Sequence, residues 1–205
     1  MIIIADYGMG NLGSVLNMFK KVGAYAKISS DLQEIRDASK ILLPGVGSFD
    51  SAMQRINDTG MKEVLDHKAL IDQIPILGIC LGMQLLTNGS EEGNLPGFGW
   101  IDADTFDFRS RISPQLKVPH MGWNVTRVVG ETSLTEDYSG ELRFYFVHSF
   151  FVKVRDEQNS MMKTNYGIEY DSAIVRNNIF GAQFHPEKSH KFGMKLFENF
   201  ARIRC

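Results

Sequence analysis

The chain has 205 residues, of which 43% are hydrophobic and 22% charged, a balance that predicts one globular domain over residues 1–205. Its formal net charge is -2 and its basic residues are scattered, which argues against a nucleic-acid partner. No apolar run approaches the roughly 18 residues of a membrane span and no secretory signal pattern opens the chain, so we expect a cytoplasmic protein without a membrane partner.

Short apolar runs alternate with amphipathic segments from the first residue. The run "MIIIA" predicts a strand, and apolar residues between positions 12 and 22 recur at helical spacing. The segment "AYAKIS" predicts a second strand. Ser30 with Gln33 three residues later predicts a capping box that starts a short helix.

The alternation continues to the middle of the chain. "KILLPG" predicts a third strand, and residues 49–70 predict two helical pieces that break near Thr59-Gly60. "IPILGIC" predicts a fully buried strand. Strands that alternate with helices predict an α/β fold with a largely parallel central sheet flanked by helices.

The pattern changes in the C-terminal half. "WIDADTFDF", "LRFYFVHSFFVKV" and "SAIVRNNIFGAQF" predict additional antiparallel strands, with a hairpin through residues 176–178. Four apolar residues at helical spacing, Phe192, Leu196, Phe200 and Ile203, predict a final amphipathic helix.

Cys80 lies in the segment Gly78-Ile79-Cys80-Leu81-Gly82, where a predicted strand meets a predicted helix. A cysteine in an apolar run is most often a small buried hydrophobe. Flanking glycines at a strand-to-helix turn, however, are typical of a nucleophile elbow, because a side chain beside such a turn would clash. Cys205, at the terminus, is most simply a bystander, and we expect both thiols to be reduced.

A thiol nucleophile needs a base, and the sequence contains five histidines. His185 in "QFHPEKS" precedes a proline, which favours extended backbone and would bring Glu187, two residues on, to the same side. The alternative is that this tripeptide is only a polar strand end. His120 and His148 are each more typical of half-buried structural histidines. No zinc-ligand spacing joins the histidines to Cys80, so we expect neither a metal nor a cofactor.

Two glycine-rich loops have competing interpretations. Residues 44–47, "PGVG", form either an ordinary turn or a source of a backbone oxyanion donor at Val46. Residues 8–13 fit G-x-G-x-x-G, the dinucleotide-binding pattern, for which Asp31 would be the ribose-binding acid. Asp6 and Tyr7 intrude between the strand and the first glycine, which disfavours that interpretation.

Several motifs in order resemble the class I glutamine amidotransferases, namely "PGVGSF", "GICLGMQLL" and "QFHPEKS". "DYGMGNLGSV", "VPHMGWN" and "YFVHSF" narrow the resemblance to glutaminase subunits of imidazole glycerol phosphate synthase. The resemblance implies a flavodoxin-like glutaminase fold that hydrolyses L-glutamine. It makes Cys80 the nucleophile, His185 the general acid/base and Glu187 its orienting partner.

The same resemblance implies further site residues. The oxyanion hole would use Val46 and Leu81, and a set of four residues would lie at the bound glutamine: Gly47, Gln84, Glu92 and Ser149. The implied partner is a (β/α)8 barrel cyclase in a heterodimer, and the implied partner-facing residues are Asn11, Trp123 and Lys188.

Two alternatives stay open at this point. "GFGWIDADTFDF" and "SHKFG" also resemble amidotransferases found with surface-polysaccharide genes, in which the ammonia would amidate a sugar. A catalytically silent binding subunit that kept the fold is the alternative from another functional class.

Overall fold

The computed structural model describes residues 1–204, so Cys205 lies outside the described residues. The helices and strands are, in chain order, β1 (Ile2–Ala5), α1 (Leu12–Lys21), β2 (Ala26–Ser29), α2 (Leu32–Arg36), β3 (Lys40–Gly45), α3 (Phe49–Asp58), α4 (Met61–Asp66), β4 (Ile76–Cys80), α5 (Leu81–Leu85), β5 (Ala103–Asp107), β6 (His120–Val128), β7 (Leu142–His148), β8 (Phe150–Val154), β9 (Ser160–Asn165), β10 (Glu169–Arg176), β11 (Ile179–Ala182) and α6 (His190–Arg202). A π-helical turn (His67–Ile71) follows α4, and a 3-10 turn (Pro186–Lys188) precedes α6.

A mixed sheet of eleven strands organises the described residues. β2, β1, β3, β4 and β11 are parallel neighbours in that order. Antiparallel pairing then continues through β10, β9, β6 and β7, while β8 pairs with β10 and β5. The predicted α/β fold, with a parallel centre and antiparallel strands in the C-terminal half, is confirmed.

The central strands are apolar on both faces because helices or other strands cover both sides of the sheet. Ile41 and Leu42, neighbours on β3, belong to the two separate core clusters, and Ile76 and Leu77 on β4 divide in the same way. All four side chains are fully buried, and each contributes about 1.5–3 kcal/mol by leaving water. The carboxyl ends of β3 and β4 are therefore held firmly, and the cleft described below lies at those ends.

The break between α3 and α4 at Thr59-Gly60 is confirmed, and Gly60 adopts φ +69°, which favours glycine. The predicted capping box at Ser30 is wrong. Asp31 is the residue that caps α2, since its carboxylate accepts hydrogen bonds from the N–H groups of Gln33 and Glu34 at 2.8 and 2.9 Å. A carboxylate one residue further along can reach both unpaired donors of the first turn.

In the C-terminal half, the hairpin through residues 176–178 is confirmed. The segment "LRFYFVHSFFVKV" divides at Ser149 into β7 and β8. α6 ends at Arg202, so Ile203 lies just beyond the helix, although its side chain still packs on the core. Within the described residues, none of the helices has the length and apolarity that crossing a membrane requires.

Candidate active site

Cys80 occupies a strained turn between β4 and α5. Its backbone adopts φ +55° and ψ -109°, a conformation that residues other than glycine rarely adopt. The flanking glycines allow close packing, since a Cβ on Gly82 would clash with the Leu43 carbonyl oxygen and one on Gly78 with the Gly82 carbonyl oxygen. The turn therefore has the geometry that the sequence predicts for a nucleophile elbow.

The "PGVG" loop lies beside this elbow because β3 and β4 pair in parallel register, with Gly45 opposite Cys80. The sequence alone cannot pair the two loops. Tyr7 is buried, and its hydroxyl donates a hydrogen bond to the Pro44 carbonyl oxygen, which anchors the start of the loop. Gly47 follows with φ +115°, while Val46 is 46% exposed.

His185 and Glu187 form a buried pair in which Nδ1 of the imidazole lies 2.8 Å from Oε1 of the carboxylate. His185 is extended, as predicted, but Glu187 lies in a 3-10 turn. The expectation that extended chain carries Glu187 to the histidine is therefore wrong. The tight turn after Pro186 brings the carboxylate back to the ring instead.

The charges around the ring decide its protonation. Burial alone would lower the pKa of His185, but the neighbouring Cys80 and Glu187 side chains favour the imidazolium more strongly and raise the pKa to about 10. Nε2 of His185 and Oε2 of Glu187 are buried without a hydrogen-bond partner among the described residues. Because Nδ1 is engaged by Glu187, Nε2 is the nitrogen that is available for proton transfer.

Ser189 holds this turn in place, and the sequence interpretation missed it. Its hydroxyl donates to the His185 carbonyl oxygen at 2.7 Å and accepts from the Tyr145 N–H at 3.0 Å. The His185 N–H in turn donates to the Tyr145 carbonyl oxygen at 2.8 Å. A serine immediately before the α6 helix was the available signal, since serine often occupies that position.

A cleft of about 330 Å³ opens over these groups. Its lining brings together all the residues predicted for catalysis, the oxyanion hole and glutamine binding except Glu187, which lies behind the His185 ring: Val46, Gly47, Cys80, Leu81, Gln84, Glu92, Ser149 and His185. Glu92 accepts a hydrogen bond from the Phe49 N–H at 2.9 Å. Burial raises the pKa of Glu92, with a smaller contribution from the nearby charge of Asp50.

A pair of buried amides lies below the cleft. Gln183 donates from Nε2 to the Cys80 sulfur at 3.7 Å, and its Oε1 lies 3.1 Å from Nε2 of Gln84. The Gln84 amide also donates to the Phe150 carbonyl oxygen at 3.4 Å. Gln183 belongs to the motif "QFHPEKS", but no sequence pattern distinguishes it from an ordinary polar strand residue.

A second polar group includes His148, which lines the cleft, and two residues behind it: the Tyr170 hydroxyl lies 3.3 Å from Nε2 of His148 and 3.2 Å from Nδ1 of His120. Nδ1 of His148 lies 2.6 Å from the Phe150 carbonyl oxygen. Both histidines are almost fully buried, so the prediction of half-buried side chains is wrong. Burial lowers the pKa of His120 to about 4 and that of His148 to about 3.

Of the predicted partner-facing residues, Trp123 and Lys188 share a neighbour. The Trp123 ring lies 6.1 Å from the Tyr145 ring, and the Lys188 ammonium lies 5.7 Å from the centre of the same ring. Trp123 is 42% exposed and also stacks on His190. Asn11 caps α1 by accepting from the Ser14 N–H. α1 contacts the 3-10 turn that carries Lys188.

Asp31 is engaged as the α2 cap, so the structure offers no support for the dinucleotide interpretation of residues 8–13. The described residues contain no group of three or more His, Cys, Asp or Glu side chains arranged to hold a metal ion.

Comparison with known proteins agrees with this geometry. A family model for glutamine amidotransferase class I matches residues 3–203. The chain is 50% identical over 202 residues to imidazole glycerol phosphate synthase subunit HisH 2 of Methanococcus maripaludis, covering 98% of this chain and 99% of the relative. It is 47% identical over 203 residues to the subunit of the same name from Pseudomonas aeruginosa, covering 99% of this chain and 100% of the relative.

Among solved structures, a putative GMP synthase component from Thermoplasma acidophilum superposes with a TM-score of 0.73 at 19% identity, covering 98% of this chain and 91% of that chain. The crystal structure of a glutamine amidotransferase gives the same TM-score at 13% identity, covering 99% of this chain and 100% of that chain. These two show the shared fold, while the family model and the curated relatives show that the chain belongs to the class I glutamine amidotransferases, among the HisH subunits of imidazole glycerol phosphate synthase.

Proposed function

We propose that the chain hydrolyses L-glutamine to glutamate and ammonia. Its ammonia then passes to a (β/α)8 barrel cyclase in a heterodimer that forms imidazole glycerol phosphate in histidine biosynthesis. The observation that carries the proposal is the strained Cys80 elbow in one cleft with His185, whose other nitrogen is held by Glu187. The similarity to HisH subunits over almost the whole chain supports the pathway.

In the proposed first half-reaction, Nε2 of His185 takes the proton from the Cys80 sulfur, and the thiolate attacks the side-chain carboxamide carbon of glutamine. A carbon–sulfur bond forms, and the carbonyl electron pair moves to oxygen. The N–H of Leu81 and an N–H at Val46 would stabilise that oxyanion. His185 then returns its proton to the leaving nitrogen, the carbon–nitrogen bond breaks, and ammonia departs.

In the second half-reaction, water attacks the thioester while Nε2 of His185 removes its proton. The tetrahedral intermediate collapses, the carbon–sulfur bond breaks, and the sulfur leaves as the thiolate with glutamate as the product. Glu187 keeps the ring oriented and stabilises each imidazolium that forms. Glu92, whose carboxylate lines the cleft, would face the α-ammonium group of the substrate, with Gly47, Gln84 and Ser149 around the remaining atoms.

The partner would also complete the oxyanion hole. The "PGVG" loop contains Gly47 at positive φ and the exposed Val46, so its N–H groups can be reoriented with little steric cost. Losing one oxyanion donor costs about 3 kcal/mol of barrier, so a loop that is correctly oriented only in the complex would make turnover depend on the partner. Asn11, Trp123 and Lys188 are the residues that we assign to the partner interface.

The test is glutamate release from L-glutamine by the purified chain, alone and with the histidine-pathway cyclase of the same cell, with Cys80→Ala as the blank. We expect Cys80-dependent release that the cyclase raises severalfold or more. Cys80-dependent glutamate release at the same rate with and without the cyclase would favour a sugar-amidating partner instead. If the protein releases no glutamate with the cyclase and Cys80 does not react with a glutamine-analogue alkylator, the chain would be a catalytically silent binding subunit.

A further inference from the structure

Gln183 is a fully buried amide that touches the proposed nucleophile, and the mechanism above gives it no role. It follows β11 directly, and its backbone N–H donates to the Ser172 carbonyl oxygen at 2.9 Å. The side chain reaches the Cys80 sulfur with Nε2 at 3.7 Å. A buried polar side chain in a fixed position beside a reacting atom can influence the charge of that atom.

Which end of the Gln183 amide faces the sulfur follows from a chain of hydrogen bonds. The Phe150 carbonyl oxygen can only accept, so the Gln84 atom that faces it, at 3.4 Å, is the nitrogen. That same nitrogen faces the Gln183 amide at 3.1 Å, so the atom it meets is the oxygen. The remaining end of the Gln183 amide is therefore the NH2 group, and it faces Cys80.

An N–H donor beside a sulfur stabilises the thiolate more than the thiol, because a hydrogen bond to a charged group is stronger than one to a neutral group. The strained backbone of Cys80 fixes the direction of its Cα–Cβ bond, so the sulfur retains only rotation about that bond. A donor on one side restricts this rotation as well.

We propose that Gln183 is a positioning residue that donates an amide N–H to the Cys80 sulfur. There it favours the thiolate whose proton has moved to Nε2 of His185. Gln84 acts through Gln183 by holding its amide in the donating orientation. This inference rests on the proposed function, since it concerns the nucleophile of the same cleft.

The experiment measures the rate of Cys80 alkylation by iodoacetamide as a function of pH, with no glutamine present. Peptide mass spectrometry at Cys80 separates its modification from that of Cys205. Wild type is compared with Gln183→Met, which keeps the length of the side chain and removes the donor. Gln158→Met is the matched control, because Gln158 is exposed and its side chain has no role in the cleft.

We expect the midpoint pH of alkylation to rise by about one unit in Q183M, which lowers the thiolate fraction about tenfold at any pH below both midpoints. Gln84→Met releases the amide of Gln183 and should raise the midpoint by a smaller amount. A Q183M/Q84M double variant should match Q183M, because Gln84 acts on the sulfur only through Gln183. The Q158M control should keep the wild-type midpoint.

A folded Q183M with the wild-type midpoint would overturn the inference, whatever its glutamine turnover. If Q183M does not fold, as judged by its circular dichroism melt, Gln183→Glu and Gln84→Met decide the question. The isosteric glutamate turns an oxygen toward the sulfur and should raise the midpoint, and an unchanged midpoint in both variants would refute the role. Wild-type glutamate release with the cyclase is measured separately. An absence of turnover in that assay would refute the proposed function, whereas an unshifted alkylation midpoint in Q183M would refute the role of Gln183, so the two failures are distinguishable.

Discussion

His185 and His148 line the same cleft and are 2% and 6% exposed, yet their pKa values move in opposite directions, to about 10 and to about 3. Burial disfavours the charged form of both rings. His185 has the Glu187 carboxylate on Nδ1, whereas His148 has a backbone carbonyl on Nδ1 and the Tyr170 hydroxyl on Nε2. Neutral partners do not offset the cost of burying an imidazolium at His148, whereas the Cys80 side chain and the Glu187 carboxylate together do so at His185.

The opposite pKa shifts of His185 and His148 assign two roles within one cleft: proton transfer at His185 and structural hydrogen bonding at His148. The His185 region keeps charge where the proposed chemistry needs a proton carrier. In the second region, formed by His148, Tyr170 and His120, the two imidazole rings stay neutral near pH 7, and each side chain serves as a fixed hydrogen-bond donor or acceptor. Because the second region is uncharged, it adds no repulsion to an imidazolium at His185.

The largest predicted effect removes the Glu187 carboxylate, one of the two groups that raise the pKa of His185. Glu187→Gln leaves His185 with a neutral partner, as His148 has, and should lower kcat for cyclase-stimulated glutamate release by about 10³-fold or more. Steady-state kinetics measures the loss. The exposed Glu141→Gln is the control and should retain wild-type turnover. Near wild-type kcat in E187Q would contradict a role for the carboxylate.

The two regions should also make the free energy of unfolding depend on pH in opposite directions. His120 and His148 have folded pKa values far below the unfolded value of 6.5, so the unfolded state binds more protons in acid. The free energy of unfolding therefore falls as the pH drops from 6.5 through about 4, by about 1.4 kcal/mol per pH unit for each ring. His185 is raised, so its contribution is present below pH 6.5 and is lost as the pH rises through about 10.

Urea unfolding at a series of pH values checks this contrast. His120→Gln should make the acid slope shallower, and Glu187→Gln should make the alkaline slope shallower, because Cys80 alone then favours the imidazolium. His67→Gln, whose side chain is 61% exposed, is the control for the acid limb. The same acid slope in wild type and H120Q would show that His120 does not take up a proton when the protein unfolds in acid.

Within the second region, the Tyr170 hydroxyl holds both rings. Tyr170→Phe leaves Nδ1 of His120 and Nε2 of His148 buried without that partner, which should lower the free energy of unfolding by about 2 kcal/mol. Chemical denaturation measures the change against Tyr25→Phe, because Tyr25 is 75% exposed. Equal stability of Y170F and Y25F would mean that the hydroxyl contributes nothing net.

The smallest effect concerns Glu92, a carboxylate of the same cleft that is assigned to substrate binding. Glu92→Gln should raise KM for glutamine about tenfold, equivalent to about 1.4 kcal/mol, and change kcat less. Glu136→Gln, at an exposed site, is the matched control. A fall in kcat at unchanged KM would place Glu92 outside the binding of the α-ammonium group.

The sequence predicts what depends on local pattern. The apolar runs of β3 and β4, the break at Thr59-Gly60 and the glycine-flanked turn at Cys80 all follow from short-range sterics and periodicity. The cap of α2 lies one residue beyond the predicted Ser30, because serine and aspartate are both good caps and only the backbone path decides between Ser30 and Asp31.

Two contacts that the sequence does not predict, His120 with His148 and Gln183 with Cys80, depend on how the strands pair. His120 and His148 meet because β6 and β7 pair with these residues directly opposite each other. Gln183 reaches Cys80 because β11 runs beside β4 in parallel. Such neighbours are far apart in the chain, and no spacing within one segment encodes them.

The most direct test of the contrast is the protonation of the histidine rings in protein labelled with ¹⁵N-histidine, recorded by NMR from pH 5 to pH 10, with His185→Gln and His148→Gln to assign the signals. We expect His185 still to give an imidazolium signal at pH 8, while His148 is already neutral at pH 5. A neutral His185 at pH 7, or a His148 that titrates near its ordinary value of 6.5, would contradict the opposite protonation of these two rings.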